Sequence, residues 1–274
     1  MGKQNFTIVQ FDLLNNAKDS LNHAVEHLIN PEGPGPSDIK LVIREVTHVV
    51  ELLLKERLRQ IHPAFIWKDV DQYKQDEANT VTTEKAIERL IKLGGISFSD
   101  GARKTIVSCR KIRNSIEHYE FKINKKEAEG IIGRILSFIF DFSKNYLKVD
   151  LEQEFRSDDR WKLLIEMHDF WETHGEALAR QLSDEGKPSG ECPSCGAYTF
   201  DFSTMKCILC GHQEEQIECD VCHELVWESE IEHFEGMDGD EESGVGYYSI
   251  SMCRACLDKE HMAEMAYDYY KDSH

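Results

Sequence analysis

Apolar residues recur at intervals of three and four from Phe11 to Ile29, where Leu13, Leu14, Ala17, Leu21, Ala24, Val25 and Leu28 share one face of an α-helix. The stretch PEGPGPS from Pro31 to Ser37 breaks the pattern, and Ser37 or Asp38 is placed to cap the next helix. That second helix is predicted from about Ile39 to Ile61, burying Leu41, Val42, Val46, Val49, Val50, Leu53, Leu54 and Leu58. A third spans Thr83 to Leu93 and is closed by Gly94 and Gly95, the position where glycine is favoured. A fourth runs from about Asp100 to Phe121 and a fifth from about Lys126 to Leu147, and their short connections predict antiparallel neighbours. One further helix, Asp158 to Leu182, carries Trp161, Leu164, Met167, Phe170, Trp171 and Leu178, and either completes the bundle or acts as a spacer. The polar run SDEGKPSGE, Ser183 to Glu191, reads as a linker.

Beyond the linker the helical period gives way to cysteines. Eight of the nine form four pairs separated by two residues: Cys192 and Cys195, Cys207 and Cys210, Cys219 and Cys222, Cys253 and Cys256. Each such turn offers two thiolates to one metal edge, and four pairs make two complete tetrahedral sets, so two structural zinc ions are expected. The first two pairs, in CPSCGAYTFDFSTMKCILCGH, resemble a zinc ribbon, with Gly196 and Gly211 supplying the positive φ that turns backbone amides toward sulfur. The second two are separated by an insert that a hairpin would fold back. Sequential pairing is favoured, with interleaving as the alternative. Eight cysteines fill both sites, so His212, His223, His233 and His261 are not needed as ligands, and closed sites exclude catalysis at the metal. The stretch MDGDEESG lacks calcium-ligand spacing and reads as a solvated acidic loop. The residues after Leu257 read as a final helix, and Cys109 reads as a core residue. The expected architecture is mainly α: an antiparallel helical bundle over residues 1–150, an amphipathic helix and linker over 151–190, and a small β-rich two-zinc ribbon module over 191–274.

Charge divides the chain in the same way. Residues 1–150 carry 23 Lys and Arg against 21 Asp and Glu, a net +2, and the rest carry 9 against 30, a net −21. A phosphate backbone would be repelled by the C-terminal part and tolerated by the N-terminal part. The longest apolar run, Ile131 to Phe142, is interrupted by Arg134 and Asp141 and is too short for a membrane span. The start, MGKQNFTIVQ, has no basic segment followed by an apolar one. With paired thiols that want reducing conditions, a cytoplasmic protein is expected.

The fourth predicted helix carries the candidate for chemistry. Ala102, Ile106, Cys109, Ile112, Ile116 and Tyr119 define its buried face, and Arg113 projects within that arc, where a guanidinium needs an acidic or phosphate partner. His118 comes five residues later in Arg113-Asn114-Ser115-Ile116-Glu117-His118. This resembles the Arg-x4-6-His signature of HEPN domains, and Ile43 to Trp67 is similar to that family's long second helix. The resemblance implies a metal-independent endoribonuclease, a homodimer in which two motifs face a shared cleft, and a role in toxin or antiviral defence systems. By the same resemblance His118 is the general base or acid, Arg113 holds the phosphate and Asn114 orients one of them, with RNA as substrate and a 2′,3′-cyclic phosphate as product. Arg103, Lys104, Arg110 and Lys111 would attract RNA.

Residues five apart on a helix project roughly 140° apart, so one chain presents Arg113 and His118 poorly to one phosphate and two copies do better. The plainer reading pairs Arg113 with Glu117, or with an acid of the second helix such as Glu51, and leaves His118 exposed. The protein is then a noncatalytic dimeric adaptor whose acidic zinc module docks a protein partner. In either case that module is available for an intramolecular contact with the basic residues of the fourth helix.

Overall fold

The computed structural model of the chain describes residues 10–29, 33–73, 78–157, 159–238 and 246–259, and these fall into two compact units, Met1–Gln181 and Leu182–His274. The first is mainly helical and the second holds small antiparallel sheets.

In the first unit α1 (Leu13–Leu28) begins where the Asp12 carboxylate accepts the Asn15 N–H at 2.7 Å. Helix α2 (Pro36–Ile61) starts earlier than predicted, with Gly35 as its cap. Ser37 and Asp38, the two expected caps, both lie inside the helix, where Asp38 accepts the Gly35 N–H at 3.0 Å from the first turn and bonds His27 Nδ1 at 2.8 Å. α2 packs against α1, α3 (Thr83–Gly94), α4 (Asp100–His118) and α5 (Lys125–Phe142). Contact on several sides explains why Ile43 and Leu52, outside the predicted stripe, are buried beside Val46, Leu53 and Leu58. Arg89 donates to the carbonyls of Phe65, Trp67 and Lys68 at 2.6 to 3.1 Å, bracing the chain between α2 and α3. Gly95, at φ 63°, closes α3 as expected.

Three further expectations shift. α4 stops at His118, because Tyr119 is extended and Asn124 already caps α5 through the Lys126 N–H at 2.9 Å. α5 ends at Phe142 and continues as a π turn, Ser143–Leu147, which Lys148 closes at φ 60°. The single helix expected over Asp158–Leu182 is two, α7 (Asp159–Glu166) and α8 (His168–Asp184), preceded by the short α6 (Gln153–Arg156). Trp161 and Phe170 are nine residues apart and would lie on opposite sides of a straight helix. The break at Met167 lets both rings pack on Phe140, with centroids 5.9 and 6.0 Å away.

In the second unit β1 (Ser189–Gly190), β2 (Phe200–Asp201) and β3 (Lys206–Cys207) form one antiparallel sheet, so the end of the predicted linker is a strand. β4 (Gln216–Glu218) pairs with β5 (Leu225–Trp227), and β6 (Ile231–Asp238) with β7 (Gly246–Cys253). Trp227 packs on Phe200 and Phe202 with centroids 4.7 and 5.9 Å away. Residues 254–259 are helical; the remainder of the predicted final helix, His261 with it, and residues 239–245 of the acidic loop lie outside the described residues. Among the described residues no helix is long and apolar enough to cross a membrane.

Candidate functional site

The cysteines assemble in chain order. Cys192, Cys195, Cys207 and Cys210 form one group and Cys219, Cys222, Cys253 and Cys256 the other, each with its sulfur atoms within 4.8 Å of one another. Hairpin β6–β7 makes the second group possible, because its register sets Ile231 opposite Cys253 and returns the last pair to the first. Sγ–Sγ distances are 3.7 Å for Cys192–Cys210, 3.8 Å for Cys195–Cys207 and 3.8 Å for Cys222–Cys253. Metal–sulfur bonds of about 2.3 Å in a tetrahedron give S–S edges of about 3.8 Å, so the spacing fits a four-thiolate metal site and is far too long for a disulfide.

The backbone supports the sulfurs. The Cys210 N–H points at Cys207 Sγ (3.4 Å) and the Cys253 N–H at Cys219 Sγ (3.3 Å). The latter bond, with that from Cys222, pulls the Cys219 thiol down to about 6, while the Cys253 sulfur pushes the Cys256 thiol up to about 12. Gly196, Gly211 and His223 adopt φ of 72°, 81° and 60°, and each N–H returns to the carbonyl of the first cysteine of its turn at 2.8 to 2.9 Å. None of the nearby histidines in the described residues joins a cysteine group: His212 bonds Glu214, His223 bonds Glu218, and His233 bonds Ser251. The second group sits on a small core of Ile231 and Met252 with Ile217, Val226 and Ile250 packed around it. Cys109 is buried against Thr47 and burial pushes its thiol up to about 11, which makes it a packing residue.

Arg113, Asn114 and His118 lie on the last turns of α4. The Arg113 side chain is 37 % exposed rather than enclosed, and its guanidinium contacts Glu117 at 3.0 Å and donates to Asn114 Oδ1 at 3.2 Å. Glu117 also faces Arg44 at 3.8 Å. Glu51, the other acid considered for Arg113, takes Lys55 at 2.5 Å. His118 is exposed at the helix end, on the side away from Arg113. One chain therefore does not bring Arg113 and His118 onto a common point.

His118 does share a face with other residues. Lys104, Ser108, Lys111, Ser115 and His118 fall within an arc of about 80° on α4. Lys104, Ser108 and Lys111 line a cleft of about 490 Å³ shared with Arg134 and Glu127 of α5. Arg134 is engaged by Asp169 at 2.6 Å. Of the other predicted cations, Arg110 pairs with Glu84, and Arg103 lines a separate cleft with Glu84, Glu88 and Val107. Lys104 and Lys111 are legible as candidates in the sequence, whereas Arg134 is not, because only the packing of α5 beside α4 brings it near.

α4 also buries little. Ile106 and Cys109 are its buried residues, against eleven on α5, and Val107 and Tyr119 are exposed. Comparison with protein-family models, with curated proteins and with solved structures finds no match to this chain.

Proposed function

We propose that the chain is a metal-independent endoribonuclease with a HEPN-like helical bundle, working as a homodimer through the exposed end of α4. The observation that carries this reading is the Arg113-Asn114-His118 set on a sparsely buried helix, with His118 at the end of the Lys104–Ser108–Lys111–Ser115 face. In a dimer, His118 of one copy takes the proton of a ribose 2′-hydroxyl, whose oxygen attacks the adjacent phosphorus while the bond to the 5′-oxygen breaks and that oxygen takes a proton from the protonated His118 of the other copy or from water. Arg113 of the other copy neutralises charge on the phosphate oxygens, exchanging its Glu117 contact for the phosphate, and Asn114 holds the guanidinium in place. The products are a 2′,3′-cyclic phosphate and a 5′-hydroxyl. Such an enzyme suits a toxin or an antiviral defence effector in the cytoplasm.

The two cysteine groups are proposed to hold structural zinc. Zinc supplies no chemistry to this reaction; the thiolates close its coordination shell, and the acidic module serves regulation or partner recognition.

Cleavage of RNA under brief chelator treatment tests the chemistry. His118→Ala and Arg113→Ala are each expected to lose roughly 10²-fold or more in rate with unchanged helix content by circular dichroism. Equal rates in wild type and both variants would sink the proposal.

The Arg113–Glu117 ion pair favours a second reading, in which α4 is an ordinary dimerising helix and the zinc module docks a protein. A partner retained by the full chain, lost on deletion of residues 192–274, with no RNA cleaved, would establish it.

A further inference from the structure

Three residues beyond His118, a cavity of about 480 Å³ opens between the start of α2 and the segment joining α4 to α5. This is the size of a small-molecule site. Its walls are largely apolar, with Ile39, Phe121 and Ile123 prominent, and its rim carries Lys40, Lys122 and Lys125. Two acidic groups near it are already engaged. Asp38 is held by His27 and the Gly35 N–H, which keep its carboxyl below the usual range, and Glu129 lies 3.8 Å from Lys125. Lys40 and Lys122 form no ion pair among the described residues. The connecting segment is pinned at both ends, by the Tyr119 N–H on the Ser115 carbonyl (2.9 Å) and by the Asn124 cap. Tyr119 itself is 80 % exposed.

An apolar slot with an aromatic wall and a cationic rim matches a flat base joined to a phosphate. We propose that this cavity receives one unpaired nucleotide of an RNA strand, its base against Phe121 and its phosphate among Lys40, Lys122 and Lys125, next to the bond presented to His118. Three residues span at most about 11 Å, so the slot lies within a few nucleotides of the imidazole, and Tyr119 offers a neighbouring base a second stacking surface. An acidic, apolar peptide would meet the same lysines but has no use for the proximity to His118. The inference rests on the ribonuclease reading and supplies it with a substrate subsite.

The test uses the full chain and a short fluorescein-labelled 2′-O-methyl oligoribonucleotide, which binds but has no 2′-hydroxyl to attack. Binding is followed by anisotropy. Phe121→Ala is expected to weaken it about five- to hundredfold, the span of one lost stacking contact. Phe121→Leu, which keeps an apolar wall, should weaken it as well, and Phe121→Tyr should restore it. Lys40→Glu with Lys122→Glu should abolish binding, and Lys162→Glu on α7 should leave it intact. Wild-type binding unaffected by Phe121→Leu and by the double reversal overturns the subsite, as does absence of binding to wild type. So does a polyglutamate peptide that binds with the same dependence on Phe121, which points to a protein partner instead. If wild type cleaves RNA and Phe121→Leu leaves KM unchanged, the subsite fails while the nuclease stands. Phe121-dependent binding with no RNA cleaved fails the nuclease while the subsite stands.

Discussion

Gly211 illustrates how a single backbone angle supports a metal site. Its φ of 81° turns its N–H back to the Cys207 carbonyl at 2.9 Å, and an added Cβ would meet nothing within 4 Å. Gly211→Ala therefore introduces backbone strain without a clash. It is expected to cost about 1 kcal/mol and to weaken metal binding about fivefold in a chelator competition. His223 occupies the same place in the third cysteine turn at φ 60° without glycine's freedom, so the second site already carries some of that strain. Gly133 presents the opposite case. Its ideal Cβ would lie 2.8 Å from the Phe170 backbone nitrogen, which is a real collision between α5 and α8. Gly133→Ala should lower stability by about 1–3 kcal/mol in urea unfolding, and an unchanged midpoint would refute the close approach.

Between elements, the most consequential polar contact joins α8 to the start of α6. His174 Nε2 lies 2.6 Å from Glu152 Oε1, with both side chains almost fully buried, and Arg156 adds a contact at 3.1 Å. Burial raises the Glu152 carboxyl, but the bond to His174 and the charges of His174 and Arg156 outweigh it and hold the group at about 2. The folded chain thus binds that proton more weakly than the unfolded chain. The pair's stabilisation is complete above the ordinary glutamate value of 4.5 and is lost as pH falls toward about 2. Urea midpoints should drop more steeply between pH 5 and pH 3 in wild type than in Glu152→Gln, by something on the order of 1–2 kcal/mol. Parallel curves would show that the pair does not set acid stability. These contacts clamp α6 and α8 around the Phe140 ring cluster, while α4 buries only two of its 19 residues and so has surface to offer.

For the whole molecule, the two units respond to different agents. The helical unit rests on an apolar core built around α2. The second unit has five strands of two or three residues beside the hairpin β6–β7, and few buried apolar side chains, Ala197, Phe200, Leu209, Ile231 and Met252 among them, so bound metal is expected to be needed to offset chain entropy. Purified protein is expected to carry two zinc ions per chain by mass spectrometry, and Cys207→Ser one. Chelation should disperse the Phe200–Phe202–Trp227 cluster, seen as a red shift in Trp fluorescence, while most helical ellipticity survives. Loss of the helical signal in step with zinc would refute that independence. The helical unit, residues 1–181, carries 27 Lys and Arg against 29 Asp and Glu, a net −2, and residues 182–274 carry 5 against 22, a net −17, so a phosphate backbone would be repelled far less by the helical unit.

The sequence by itself determined helices α1 to α5 of the first unit, because their apolar spacing is a local property, and the eight paired cysteines, because a metal turn needs two thiolates a few residues apart. It also named Arg113, Asn114 and His118 and placed the two ends of that motif on different sides of one helix. Tertiary structure decided the rest, through contacts between residues distant in the chain. Hairpin β6–β7 selected sequential over interleaved cysteine groups. Phe140 required the break at Met167, since a straight helix cannot aim Trp161 and Phe170 at one ring. The approach of α2 to the segment after α4 made a cavity from Lys40 and Phe121, residues that no local pattern relates.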